Sequence, residues 1–193
     1  MPFFHGSVIL NKKVTHYKDS QLNKKKQVEQ MFDTISENYD QLNRVISLGA
    51  DQSWRRNLID IVKSTQPKNI LDIATGTGDL AIALADSSAE KIVGLDISAG
   101  MLQVGKKKIN AQKLDNRIEM VQADSENLPY PDDTFDAITV AFGVRNFENL
   151  EKGLSEIYRV LSPGGIFVVL ETSVPTKFPF KQGYTFYSNH ILP

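Results

Sequence analysis

Cysteine is absent from all 193 residues of the chain. That excludes a disulfide framework, a thiol nucleophile and a thiolate metal centre, and it suits the cytosol. An excess of one charge is also lacking. The 22 Lys and Arg residues against 23 Asp and Glu leave a net charge of −1, so no basic field exists to hold a nucleic acid through its phosphates. No apolar run approaches the ~18 residues of a membrane span. The opening MPFFHGSVILNKKV has too short an apolar part, and too polar a continuation, for a secretory signal. Internal repeats and low-complexity tracts are missing. Histidine is scarce, with His5, His16 and His190 only, and each reads as a surface residue rather than a proton acceptor. Two basic triplets, Lys24–Lys26 and Lys106–Lys108, read as solvated helix faces. What remains is the balance of one globular domain, 41% hydrophobic and 23% charged.

Residues 1–19 show no period and read as a mobile arm. Residues 20–66 read as N-terminal helices that cap a site, and 67–193 as the core. Val28, Met31, Phe32, Ile35, Tyr39, Leu42 and Ile46 step by 3, 1, 3, 4, 3 and 4, which predicts one helix face between Gln21 and Leu48. Trp54, Leu58, Ile61 and Val62 stripe a second helix, which must end before Pro67. Short apolar runs then alternate with helical patterns. Strands are predicted at 69–74, 91–96, 117–122, 135–142 and 166–173. Helices are predicted at 79–86, from a Ser98 cap to about Lys113, and along the stripe Leu150, Leu154, Ile157, Tyr158 and Leu161. Residues 162–165, SPGG, fit a type II turn. This alternation predicts an α/β fold with a mostly parallel sheet. Right-handed crossovers and a glycine loop after the first strand give the order 3-2-1-4-5.

The stretch NILDIATGTGDLAIALA, 69–85, carries the chemistry. Gly76-Thr77-Gly78-Asp79-Leu80-Ala81 fits G-x-G-x-x-A, and Asp96 follows at the end of the next strand. Taken literally, this is a dinucleotide fingerprint. Asp79, however, stands at the helix start, where it would repel a pyrophosphate. With Asp72 in the strand before it, and no Lys or Arg close in sequence, it favours a cationic ligand such as the sulfonium S-adenosylmethionine. Asp124-Ser125 after the third strand is placed to receive an adenine amino group. Residues 141–146 follow the fourth strand at the same end of the sheet.

With those residues placed, the chain resembles the class I S-adenosylmethionine-dependent methyltransferases in LDIATGTGD, GLDIS, LPYPDDTFD and YRVLSPGG. More narrowly, VEQMFDTISENYDQLN, AFGVRNF and ETSVPTKFPFKQGYTFYSNHILP resemble the ubiquinone/menaquinone biosynthesis C-methyltransferases. The resemblance implies a Rossmann-like fold and S-adenosylmethionine contacts at Thr77, Asp96, Asp124 and Ser125. The full expected cofactor set is Asp72, Gly76, Thr77, Gly78, Asp79, Asp96, Ile97, Met101, Asp124, Ser125 and Ala141. Some members carry Ser where this chain has Ala141, so a hydroxyl contact is missing there. Members also continue past the position where this chain stops, and their sheet gains two strands, so the chain reads as a fragment.

The implied substrate is a prenylated quinol: demethylmenaquinol, or the analogous benzoquinol on the route to ubiquinone. Tyr39, Asn43, Phe142, Arg145 and Asn146 are its expected contacts. A ring carbon attacks well only when a neighbouring hydroxyl ionises, and a free phenol has a pKa of about 10. Arg145 is the expected catalytic residue, favouring the phenolate, with water nearby taking the proton. No metal is expected. The apolar prenyl tail implies peripheral contact with the inner face of a membrane, and a homo-oligomer is left open. Three other readings stand beside this one: an NAD-dependent oxidoreductase, a non-catalytic S-adenosylmethionine-binding module, and a methyltransferase of the same fold with another small-molecule acceptor.

Overall fold

Alternate residues of the central strands enter different apolar clusters, and this parity sets which groups reach the site. The computed structural model describes residues 23–41 and 50–172. The predicted arm, Asn43 and all three histidines lie outside the described residues. Among the described residues, five parallel strands form one sheet in the order β3-β2-β1-β4-β5, as predicted. They are β1 (Asn69–Ile73), β2 (Lys91–Asp96), β3 (Ile118–Gln122), β4 (Phe135–Ala141) and β5 (Leu161–Leu170). The helices are α1 (Lys24–Ile35), α2 (Ala50–Ser64), α3 (Asp79–Leu84), α4 (Ala99–Ala111) and α5 (Leu150–Val160), with a 3-10 turn at Val144–Asn146.

Ile70 and Ile92 pack with Leu58 and Val62 of α2, Leu80 and Leu84 of α3, and Ile109 of α4. Leu71, Ile73 and Val93 pack on the other face with Phe147 and with Ile157 and Val160 of α5. Burial on both faces explains why the inner strands read as continuous apolar runs. Each fully buried Ile or Leu contributes roughly 1.5–3 kcal/mol. Asp72 shares parity with Ile70, so it faces the α2 and α3 side.

Ser98 caps α4 as predicted, its Oγ accepting the Met101 amide at 3.1 Å. Two boundaries differ from expectation. The N-terminal stripe is not one helix: α1 stops at Ile35, and a turn follows through Asn38, whose amide donates to the Ile35 carbonyl at 3.0 Å. Ser36 Oγ bonds the Asp33 carbonyl at 3.0 Å, a local alternative to the helical ladder. The break brings Tyr39 back edge-on to Phe32, ring centroids 5.8 Å apart. The second difference is SPGG. It does turn, with Gly164 at φ +82°, yet it lies inside β5. Leu161 pairs with Phe135 and Ile166 with Ala137, so four residues loop out opposite Asp136. A Cβ on Gly165 would meet the Asp136 carbonyl at 2.8 Å. The helical stripes are also only partly buried: Trp54, Ile61, Leu154 and Tyr158 are exposed.

Candidate functional site

The carboxyl ends of β1, β2, β3 and β4 converge beneath α1 and enclose a cavity. The chain leaves β1 through Ala74, at φ +54°, and turns at Gly76 (φ +58°) and Gly78 (φ +78°). The glycines reach this left-handed region without Cβ strain. Ala74 does not, and neither does Phe142 (φ +59°) at the end of β4. Both line the cavity.

Asp96 organises the loop. Its Oδ2 accepts the Gly76 amide at 2.8 Å, and its Oδ1 accepts the Ser98 amide at 2.9 Å. Burial pushes its pKa up, against the pull of those amides. The Ile97 amide also pulls on the carboxylate, and the acceptor capacity left on its oxygens suits a ribose hydroxyl. Ile97 and Met101 supply apolar wall beside it, and Asp124, Ser125, Ala141, Phe142 and Asn146 close the far side. Asp96, Asp124, Glu126 and Glu148 make this lining acidic, with Lys25 the basic side chain among the described lining residues, a setting that suits a neutral or cationic nucleoside better than a phosphate group.

From above, Lys25, Val28, Phe32 and Tyr39 line the same cavity. Side chains rather than backbone fasten this cap. Lys25 pairs with Asp124. Lys24 Nζ donates to the Arg145 and Phe147 carbonyls at 2.9 and 2.6 Å. Asp33 accepts the Ser98 hydroxyl at 2.5 Å and the Gly100 amide at 2.9 Å. Asp40 accepts the Thr77 hydroxyl at 2.6 Å and pairs with Lys108 at 2.8 Å. The two basic triplets are therefore not merely solvated faces, since each sends a lysine into the fastening.

Of the expected cofactor residues, Gly76, Asp96, Ile97, Met101, Asp124, Ser125 and Ala141 line this cavity, as do the expected substrate residues Tyr39, Phe142 and Asn146. Asp72, Thr77 and Asp79 instead line a smaller chamber beyond Gly76. Asp72 is fully buried and accepts the Thr75 and Thr139 hydroxyls at 2.6 and 2.7 Å. Burial lifts its pKa to about 6. Gly78 lines neither space; a Cβ there would lie 3.2 Å from Met120 Cε. Asp79 is not free of basic neighbours, because Lys108, 29 residues on, pairs with it. Arg145 is not among the cavity-lining residues. Its guanidinium turns outward to Glu171 Oε1 at 3.1 Å and Thr172 Oγ1 at 3.0 Å, with the side chain 53% exposed.

Sequence reasoning missed Lys25, Glu126 and Arg55. Glu126 Oε1 accepts the Glu148 and Asn149 amides at 2.7 and 2.8 Å, tying the third and fourth strand-end loops together. No local pattern announces a pairing over such distances in sequence.

Comparison with known proteins matches residues 20–193 to the ubiE/COQ5 methyltransferase family. The demethylmenaquinone methyltransferase of Bacteroides fragilis is 52% identical over 171 residues, 88% of this chain and 70% of that protein. The ubiquinone/menaquinone biosynthesis C-methyltransferase UbiE of Geotalea daltonii is 46% identical over 172 residues, 88% of this chain and 73% of that one. Among solved structures, a SAM-dependent methyltransferase from Aquifex aeolicus superposes with a TM-score of 0.53 at 26% identity, covering 57% of this chain and 60% of that one.

Proposed function

The chain belongs to the ubiE/COQ5 methyltransferase family, and from that premise we propose that it methylates a ring carbon of demethylmenaquinol with S-adenosylmethionine as donor. The observation that carries the reading is Asp96, held by the Gly76 and Ser98 amides with acceptor capacity left for a ribose hydroxyl. Demethylmenaquinol is favoured over the benzoquinol because the 52%-identical relative is a demethylmenaquinone methyltransferase. Family membership goes against the dinucleotide oxidoreductase.

When bound, the cofactor supplies an electrophilic methyl group. The protein's part is alignment and exclusion of water. Asp96 would orient the ribose, Ile97 and Met101 would hold the base, and Asp124 with Ser125 would meet its polar edge. Phe32, Tyr39 and Phe142 give the acceptor ring an apolar wall. Arg145, turned to Glu171, contributes through the loop it braces rather than by touching the ring. Among the described residues no helix is long and apolar enough to cross a membrane. We place the enzyme in the cytoplasm, meeting its prenylated substrate by peripheral contact.

Transfer of label from methyl-tritiated S-adenosylmethionine to short-chain demethylmenaquinol tests the proposal, with the benzoquinol analogue as second acceptor and NADH titrated in parallel. Methylated naphthoquinol and no NADH binding are expected. Saturable cofactor binding without transfer to either quinol would mean a binding module. NADH binding alone would overturn the assignment.

A further inference from the structure

The chamber beyond Gly76 shares Tyr39, Ala74, Gly76 and Ala141 with the main cavity. Its own walls are polar. Asp72 is taken by Thr75 and Thr139, and Asp40 and Asp79 are both paired with Lys108. Arg55 of α2 stands among them with a donor to spare. Its Nε is buried and has no hydrogen-bond partner among the described residues. The Asp51 carboxylate lies 3.7 Å from it, outside hydrogen-bond range. On its other side the guanidinium carbon stands 5.9 Å from the centroid of the Phe142 ring. A buried donor left unpaired costs free energy, and a guanidinium fork matches a carboxylate or a phosphate with two parallel hydrogen bonds. A single arginine among aspartates suits a zwitterion and repels a dianion such as phosphate.

We infer that Arg55 binds the α-carboxylate at the amino-acid end of the cofactor, while the aspartate wall offsets the charge of its ammonium group. The inference rests on the proposed cofactor. It makes Arg55 the residue that tells an amino-acid-bearing nucleoside from a truncated one. Gly76 lines both spaces and forms the junction, with Tyr39 Cε1 3.7 Å from where its Cβ would stand, so the sulfonium lies beside this loop.

Calorimetric titration of the whole chain tests this with four probes: S-adenosylmethionine, its decarboxylated form, S-adenosylhomocysteine and 5′-methylthioadenosine. The unaltered protein is expected to bind the decarboxylated form roughly tenfold to a hundredfold more weakly than S-adenosylmethionine. Arg55→Met is expected to erase that difference and weaken S-adenosylhomocysteine by the same factor. Its affinity for methylthioadenosine, which has no carboxylate, should stay within about twofold. Arg55→Lys should recover part of the loss. Equal binding of S-adenosylmethionine and its decarboxylated form by the unaltered protein would overturn the inference, whether or not the variants fold. So would an equal loss for homocysteine and methylthioadenosine nucleosides in Arg55→Met, which marks a merely structural role. If the unaltered protein binds none of the four, the proposed cofactor itself fails, and this inference with it.

Discussion

The Thr77 hydroxyl donates to Asp40 Oδ1 at 2.6 Å, across 37 residues of sequence. Lys108 completes a triangle, 2.8 Å from Asp40 and 3.1 Å from Thr77. The glycine loop, the segment after α1 and the helix α4 thus meet at one carboxylate. Asp40→Ala is expected to loosen the cap without unfolding the sheet. Hydrogen exchange should quicken about fivefold or more in residues 24–35, because the partly exposed contacts of Asp40 to Thr77 and Lys108 are both lost. Amides of β1 and β4 should be unchanged. Uniform quickening would show that the cap and the sheet open together.

Asp96→Asn tests the loop organiser. An amide side chain can accept only one of the two backbone donors and turns an N–H toward the other. The expected cost is about 1–3 kcal/mol of stability, and nucleoside affinity should fall roughly tenfold or more. Urea unfolding and calorimetry check the two together. Unchanged affinity with reduced stability would confine Asp96 to loop architecture.

Asp72 predicts a pH dependence with a definite sign. Its folded-state pKa is lifted from 3.8 to about 6 by burial, so the folded state holds the proton more tightly. Stability from this group is therefore full below about pH 4 and lost as pH rises through about 6. The loss is on the order of 3 kcal/mol at neutral pH. Relative to the parent, Asp72→Asn should be more favourable at pH 7 than at pH 4.5, as read by urea unfolding at both. A flat difference would mean that Asp72 titrates normally.

Arg145→Ala should cost under about 1 kcal/mol of stability, because its ion pair with Glu171 is half exposed and screened. Nucleoside affinity should stay within about twofold, and methyl transfer should fall less than about tenfold. A large fall in transfer with affinity intact would return Arg145 to the direct role that the sequence suggested. Stopped-flow transfer and calorimetry on one preparation decide it.

Which parts were legible follows from how local their signals are. The strand order rests on alternating apolar runs and on Gly76 and Gly78, which take positive φ without Cβ strain. Ser98 announces α4 by simple capping. The halt at Ile35 was hidden, because Phe32 and Tyr39 stay in phase with a continuous helix while Ser36 and Asn38 break it. SPGG gave its turn but not its place inside β5, which depends on Asp136 opposite. The site divided in the same way. Asp96, Asp124 and Ala141 could be placed from strand ends alone. The pairings Lys25–Asp124 and Lys108–Asp79, and the outward turn of Arg145 to Glu171, join positions far apart in the chain. Each needs the folded shape to become visible.

Ala74 and Phe142 end neighbouring strands, both at positive φ and both on the cavity wall. Each conformation costs on the order of 1–2 kcal/mol relative to an ordinary one. A chain selected for thermal endurance alone would place glycine at both. Glycine at 142 would relax the backbone and remove the ring that faces Arg55 and Trp54. Attempts to make this protein hardier by consensus or computation will therefore meet a conflict at these two positions, where the most durable residue is the one that leaves the cavity unshaped.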